Sequence, residues 1–264
     1  MSASLRAIAT ETVQIIERGR YQPVGGREVE LADLIGRAVA GTRLYLPGDL
    51  ITTGPSDAQP TIEVTRETTL SAARRLGGNV AALVFASARN PGGGFLHGAQ
   101  AQEESLARAS ALYASQMAAA DFYTFHRRHG DPRYSDRVIY SPDVPVFRDD
   151  DGVLLPQPFM VSFLTAAAPN MRAIAEGRPE VQDSVAGALL TRAGRVLQVA
   201  AAHQHRQLIL GAWGCGVFAN EPSVVAEAFA GALAESRCFD RIVFAVFDPR
   251  PGKPTYRAFA GVFA

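Results

Sequence analysis

The sequence predicts an α/β fold in which helices cover a central sheet. Three observations predict it: short apolar stretches alternate with longer helical ones along 264 residues, residues 80–86 are apolar almost without interruption, and glycine-rich loops follow two of the stretches. An apolar run too short for a capped helix suits a strand covered on both faces. In folds of this class ligands gather at the C-terminal edge of the sheet, where both loops fall.

Residues 3–20 and 28–40 read as two helices, because Leu5, Ile8, Val13 and Ile16, then Leu31, Leu34, Ile35 and Val39, fall at helical spacing. They form an N-terminal helical extension, residues 1–60, expected to pack on a core of residues 61–264. Residues 42–46 and 61–65 are strand candidates separated by a stretch rich in Gly, Pro, Ser and Asp. A helix over 67–76 stops at Gly77 and Gly78. After the strand at 80–86, the alanine-rich run 103–120 reads as one helix. Further strands are predicted at 137–141, 160–167, 207–210 and 242–247, with helices at 181–203 and 223–235 between the last three. The acidic run Asp149, Asp150, Asp151 before Gly152 reads as a solvated turn.

Composition narrows the function. Basic and acidic residues balance at 26 each, so nothing suggests the polycationic surface of a sequence-independent nucleic-acid binder. An anionic ligand has to be held by local dipoles. The first residues, MSASLRAIATETVQ, lack a basic stretch followed by an apolar core, and no apolar run reaches membrane-spanning length. The expected compartment is the cytoplasm, with no membrane partner. Cys215 and Cys238 are the only cysteines and lack ligand spacing, which argues against a disulfide scaffold and a zinc site. No metal or organic cofactor is expected.

The most informative segment runs from Asn90 through Pro91, Gly92, Gly93, Gly94 and Phe95 to Gln102, Glu103 and Glu104. Consecutive glycines let the backbone approach a ligand and aim N–H groups at anionic oxygens. Two adjacent carboxylates then offer acid chemistry. Acids in a first helical turn are commonplace, so the glycine bend is what gives the pair its meaning. Beside a bound diphosphate, like charges favour the protonated form of one carboxyl, which makes it a candidate general acid for glycoside hydrolysis.

The second loop, Gly211 to Asn220, contains Trp213, Gly214, Cys215, Gly216, Val217 and Phe218. It follows a strand and precedes a helix with Asn220 as its expected cap and Pro222 in its first turn, an arrangement that cradles phosphate without Lys or Arg. It is neither a Walker A loop nor a dinucleotide fingerprint. Phe218 and Phe95 each offer a ring to a base or ribose, or equally a plug for the local core. Trp213 reads as a packing anchor and Cys215 as a small residue in a tight turn. Of the histidines, His97 lies in the first loop; His126, His129, His203 and His205 read as helix-end or surface residues, and none as a metal ligand.

The glycine triplet with its Gln-Glu-Glu continuation resembles the signature of macrodomain poly(ADP-ribose) glycohydrolases, specifically the compact bacterial type. The resemblance covers most of the chain and implies a macrodomain-like mixed sheet flanked by helices. It also implies that the enzyme cleaves ribose–ribose bonds of poly(ADP-ribose) from the chain terminus to release ADP-ribose. Carried over by residue, Glu104 is the catalytic acid, Glu103 binds and orients the ribose, and Asn90 bonds a distal ribose hydroxyl. Gly92, Gly93 and Gly94, flanked by Phe95 and Gln102, shape the approach to the ribose. The backbone of Gly214, Cys215, Gly216 and Val217 surrounds the diphosphate, and Phe218 packs on the terminal ribose or adenine side. Expected partners are poly(ADP-ribose), ADP-ribose and ADP-ribosylated proteins, with no sequence-specific nucleic acid. Two alternatives stay open: removal of single ADP-ribose groups, and non-catalytic ADP-ribose binding, which the same architecture permits.

Overall fold

The computed structural model describes residues 2–52 and 58–263. The chain opens with α1 (Ser2–Arg18), a ribbon of β1 (Arg20–Tyr21) and β2 (Val29–Glu30), α2 (Ala32–Gly41) and the short strand β3 (Arg43–Tyr45). β4 (Thr61–Thr65), α3 (Thr69–Leu76) and β5 (Val80–Phe85) follow, then α4 (Gln102–Ala109), α5 (Leu112–Ala118) and α6 (Ala120–Arg128). A hairpin of β6 (Val138–Arg148) and β7 (Leu154–Ala166) leads to α7 (Met171–Gly177), α8 (Val185–Ala202) and β8 (Gln207–Leu210). The chain ends with α9 (Pro222–Ala234), β9 (Arg241–Ala245) and α10 (Pro254–Phe263). Part of the turn-rich stretch before β4, residues 53–57, lies outside the described residues.

Seven strands form one mixed sheet in the order β3-β6-β7-β5-β8-β9-β4. β7, β5, β8, β9 and β4 run parallel, while β6 pairs antiparallel with both β3 and β7. Successive side chains of β5 point to opposite faces. Ala81 and Leu83 pack beneath α8, α9 and α10 with Leu197, Phe229 and Phe259, whereas Ala82 and Val84 join Ile35, Leu70 and Leu106 on the other side. This double burial is why β5 reads as an unbroken apolar run. It also sets β5 and β8 side by side, so the loops leaving their C-terminal ends are neighbours.

Several elements differ from the sequence reading. The helix expected over 103–120 is broken at Ser110, whose extended backbone (φ −146°, ψ 175°) bridges Val146 of β6. Ala111 N–H then donates to the Pro145 carbonyl at 3.0 Å. Alanine richness favours helix everywhere and cannot mark where a strand claims the backbone. The strands expected at 137–141 and 160–167 are the inner ends of the longer β6–β7 hairpin. Prolines 142, 145, 156 and 158 hid the rest, and the register shifts between Ser141 and Val144 and between Val146 and Arg148 accommodate part of them. Helix 181–203 starts in a 3-10 turn, Pro179–Ser184, and helix 28–40 begins after β2. α7 and α10 were not expected at all.

Candidate active site

The first loop descends from β5 and is held by side chains of α4 and α5. Gly92 and Gly93 have φ of +66° and +59°. Every amide of the triplet has an acceptor within the protein: Gly92 N–H donates to Gln116 Oε1 at 2.7 Å, Gly93 N–H to the Asn90 carbonyl at 3.0 Å, and Gly94 N–H to Glu104 Oε1 at 3.0 Å. The triplet therefore does not present free N–H groups to phosphate, contrary to the reading from sequence. Its glycines are needed for close approach instead. A Cβ on Gly93 would stand 2.3 Å from Glu104 Oε1, and one on Gly92 would stand 2.7 Å from the Phe95 ring.

Glu103 and Glu104, consecutive in the first turn of α4, have unlike surroundings. Glu103 is 2% exposed; its Oε2 accepts Ser87 N–H at 2.6 Å and its Oε1 accepts Gln116 Nε2 at 2.9 Å. Burial pushes its pKa up to about 8, the neighbouring Glu104 charge adds to the rise, and the bonds from Ser87 and Gln116 oppose it. Glu104 is half-buried and bonded to Gly94. Glu103, the deeper carboxyl, thus retains a proton into the neutral range.

Gln102 does not face a ligand. Its Oε1 accepts Phe85 N–H at 2.9 Å and its Nε2 donates to the Leu83 carbonyl at 2.8 Å and Thr69 Oγ1 at 3.1 Å, which splices α4 onto the end of β5. Phe95 is likewise corrected: its ring is wholly buried, 5.0 Å from Tyr113 and clustered with Ala9 and Ala107, so it plugs the core beneath the loop. Asn90 is exposed at the loop's rim.

The second loop supplies what the first lacks. Among the described residues, the amides of Gly214, Gly216, Val217 and Phe218 donate to no acceptor, whereas Cys215 N–H closes a turn on the Ala212 carbonyl at 3.2 Å. The Cys215 amide is thus spent within the loop, and burial pushes its thiol up to about 12, far from a reactive thiolate. Gly214 (φ +73°) leaves no room for a side chain, since a Cβ would meet Ala168 Cβ at 2.5 Å. Asn220 is not the cap of α9, because that position belongs to Glu221 and carries no side-chain bond. Buried, Asn220 donates through Nδ2 to the carbonyls of Pro169 (2.8 Å) and Gly214 (3.1 Å), fastening the loop to the end of β7. Trp213 is the anchor expected of it, fully buried with Nε1 bonded to the Ala166 carbonyl at 2.9 Å.

Around this cleft edge, Val217 is 70% exposed and Phe218 half-buried, its ring 5.9 Å from that of Tyr134. Phe247, 66% exposed, stands just beyond the end of β9 and not inside a strand. It offers an exposed aromatic face two residues past the end of β9, which a strand reading of 242–247 concealed. His126 and His205 are buried, not superficial; Phe122 and Tyr134 pack edge-on against the first, and Tyr140 bonds the second at 2.8 Å. Among the described residues no group of three or more His, Cys, Asp or Glu could hold a metal ion, and no helix is long and apolar enough to cross a membrane. A hollow of about 1130 Å³ runs along α8 and α9 and includes no residue of either glycine loop.

Residues 9–149 match the family model for the catalytic domain of microbial-type PARG. The crystal structure of poly(ADP-ribose) glycohydrolase (PARG) from Thermomonospora curvata is 53% identical, superposes with a TM-score of 0.93, and the match covers 99% of this chain and 100% of that one. The T. curvata glycohydrolase bound to the inhibitor ADP-HPD is 52% identical with a TM-score of 0.89, over 98% and 99% of the two chains. The Deinococcus radiodurans glycohydrolase in complex with ADP-ribose is 46% identical with a TM-score of 0.82, over 89% and 98%. No curated protein matches significantly.

Proposed function

The chain belongs to the microbial-type poly(ADP-ribose) glycohydrolase family, and from that premise we propose that Glu104 serves as general acid and base in hydrolysing ribose–ribose O-glycosidic bonds of poly(ADP-ribose). The observation that carries this reading is the bond from Gly94 N–H to Glu104 Oε1, which fixes a half-buried carboxyl over the glycine bend. Glu104 delivers a proton to the departing ribose oxygen, and its carboxylate then takes a proton from the attacking water. The free amides of Gly214, Gly216, Val217 and Phe218 hold the diphosphate, whose charge steadies the cationic sugar.

Glu103 binds and orients the ribose. Each of its oxygens accepts one bond from the protein, and in the protonated form the carboxyl also has a donor to give a ribose hydroxyl. A pKa near 8 keeps that proton in place at neutral pH. Asn90 at the rim reaches the distal ribose, while Phe218 and Phe247 offer faces to the terminal ribose and the adenine. Residues 1–60 act as an extension on a catalytic core of 61–264, and the two free cysteines suit the reducing cytoplasm. Release of ADP-ribose from the chain terminus follows the family resemblance.

The test is Glu104→Gln. Calorimetry should find ADP-ribose affinity preserved while polymer cleavage falls by about three orders of magnitude or more, the scale of removing an acid–base group. Undiminished cleavage would remove Glu104 from the mechanism.

A further inference from the structure

We infer that Gln116 is a positioning residue that locks the glycine triplet to Glu103, so that loop and ribose-binding carboxyl behave as one unit. The inference rests on the reading of Glu103 given above. Gln116 lies on α5 and is fully buried. Its carboxamide stands between two groups of opposite demand. Gly92 N–H needs an acceptor and finds Oε1 at 2.7 Å, while Glu103 Oε1 takes a donor and finds Nε2 at 2.9 Å.

The orientation of that amide is forced by chemistry. A backbone N–H can only donate, so the oxygen of Gln116 must face Gly92 and its NH₂ must face Glu103. No other uncharged side chain of this length offers an acceptor at one corner and a donor at the other. Because Gly92 packs on Phe95 and Gly94 bonds Glu104, displacing Gln116 moves the loop under both carboxyls. Proximity in space is not proximity in sequence here. Along an unbroken helix at about 1.5 Å per residue, positions 103 and 116 would stand about 20 Å apart. The break at Ser110 folds α5 back and brings them into contact.

The test uses two variants of the full chain and three probes: ADP, ADP-ribose and polymer. Gln116→Met keeps length and removes both bonds. ADP, which lacks the second ribose, should bind within about twofold of wild type; ADP-ribose should bind about tenfold more weakly, and kcat on polymer should fall about a hundredfold, the scale of losing two buried hydrogen bonds. Gln116→Glu keeps the acceptor for Gly92 and supplies a donor to Glu103 only when a proton is shared. Its turnover should recover toward acid pH and vanish toward alkaline pH relative to wild type. The titratable groups facing Glu103 are Glu104 on α4 and Tyr123 on α6, whose phenol stays neutral, through burial, well above the ordinary tyrosine value.

Wild-type turnover in Gln116→Met, or equal loss of ADP and ADP-ribose binding together with a lowered melting temperature, would overturn the inference. Should Gln116→Met fail to fold, Gln116→Glu decides alone, and a pH profile parallel to wild type would overturn it. Failure of the Glu103 and Glu104 reading would show separately, as normal cleavage by Glu103→Gln or by Glu104→Gln with Gln116 intact.

Discussion

Gly94 donates its backbone N–H to Glu104 Oε1 at 3.0 Å, in a bend where the preceding residue, Gly93, leaves no space for even a methyl group. The carboxylate and the loop are complementary surfaces. Glycine at 93 is thus required by the position of the acid as well as by its own positive φ.

Gly93→Ala should therefore damage catalysis more than folding. A left-handed φ costs a non-glycine residue about 1–2 kcal/mol, while a catalytic group displaced by about 1 Å loses about a hundredfold in rate. Steady-state kinetics beside thermal melts will separate the two. Gly187→Ala in α8 is the control, since its Cβ would meet nothing within 4 Å. It should be neutral, or more stable by about 0.5–1 kcal/mol.

Stability should trace a dome against pH. Burial lowers His126 and His203 to about 4 from 6.5, so stability is lost as pH falls through that interval, where only the unfolded chain gains protons. Glu103 is raised to about 8, so the folded chain holds a proton that the unfolded chain releases, and stability declines as pH rises until about 8. Between 6.5 and 8 the decline belongs to Glu103. Melts of Glu103→Gln should lose that alkaline slope and keep the acid one; an unchanged slope would place the titration elsewhere.

The N-terminal helix should matter to the catalytic loop. Ala9 packs on Phe95 and Ala107, and Thr12 Oγ1 donates to the Arg108 carbonyl at 2.6 Å. Thr12→Val strands that buried carbonyl and should cost about 1–2 kcal/mol by denaturant unfolding. Ala9→Leu overpacks the site, should cost about 1–3 kcal/mol, and should also lower kcat by pushing Phe95 against Gly92. A normal kcat in a folded Ala9→Leu protein would mean that α1 merely covers the core.

Asn220 should control the second loop. Its Nδ2 serves two carbonyls from the interior, so Asn220→Ala should cost about 2–3 kcal/mol and loosen the free amides beside it. ADP affinity measured by calorimetry should drop about tenfold.

Much of this protein was legible without coordinates. The apolar run at 80–86, the two glycine loops and the paired acids depend on local backbone chemistry, and each sits where the sequence placed it. Local reasoning singled out the adjacent carboxyls Glu103 and Glu104, and the family resemblance pointed to the backbone of Gly214, Gly216 and Val217, whose amides the fold leaves without an acceptor. The sequence reading did not foresee that the Gln102 side chain and the Cys215 amide are spent within the protein, and it left Phe95 open between ligand face and core plug, because a group's partner across the fold leaves no mark beside it in sequence.

The sequence by itself determined the layered architecture and the chemical type of the site, since strand burial, glycine conformation and carboxyl placement are properties of neighbouring residues. Tertiary structure alone decided which groups are spent and which are free. Only the pairing of Ser110 with β6 brings Gln116 back to Glu103, and only the packing of α4 on β5 buries one carboxyl of an adjacent pair while leaving the other half open. Burial and long-range hydrogen bonding divide the labour between them, and both are set by contacts that no local pattern specifies.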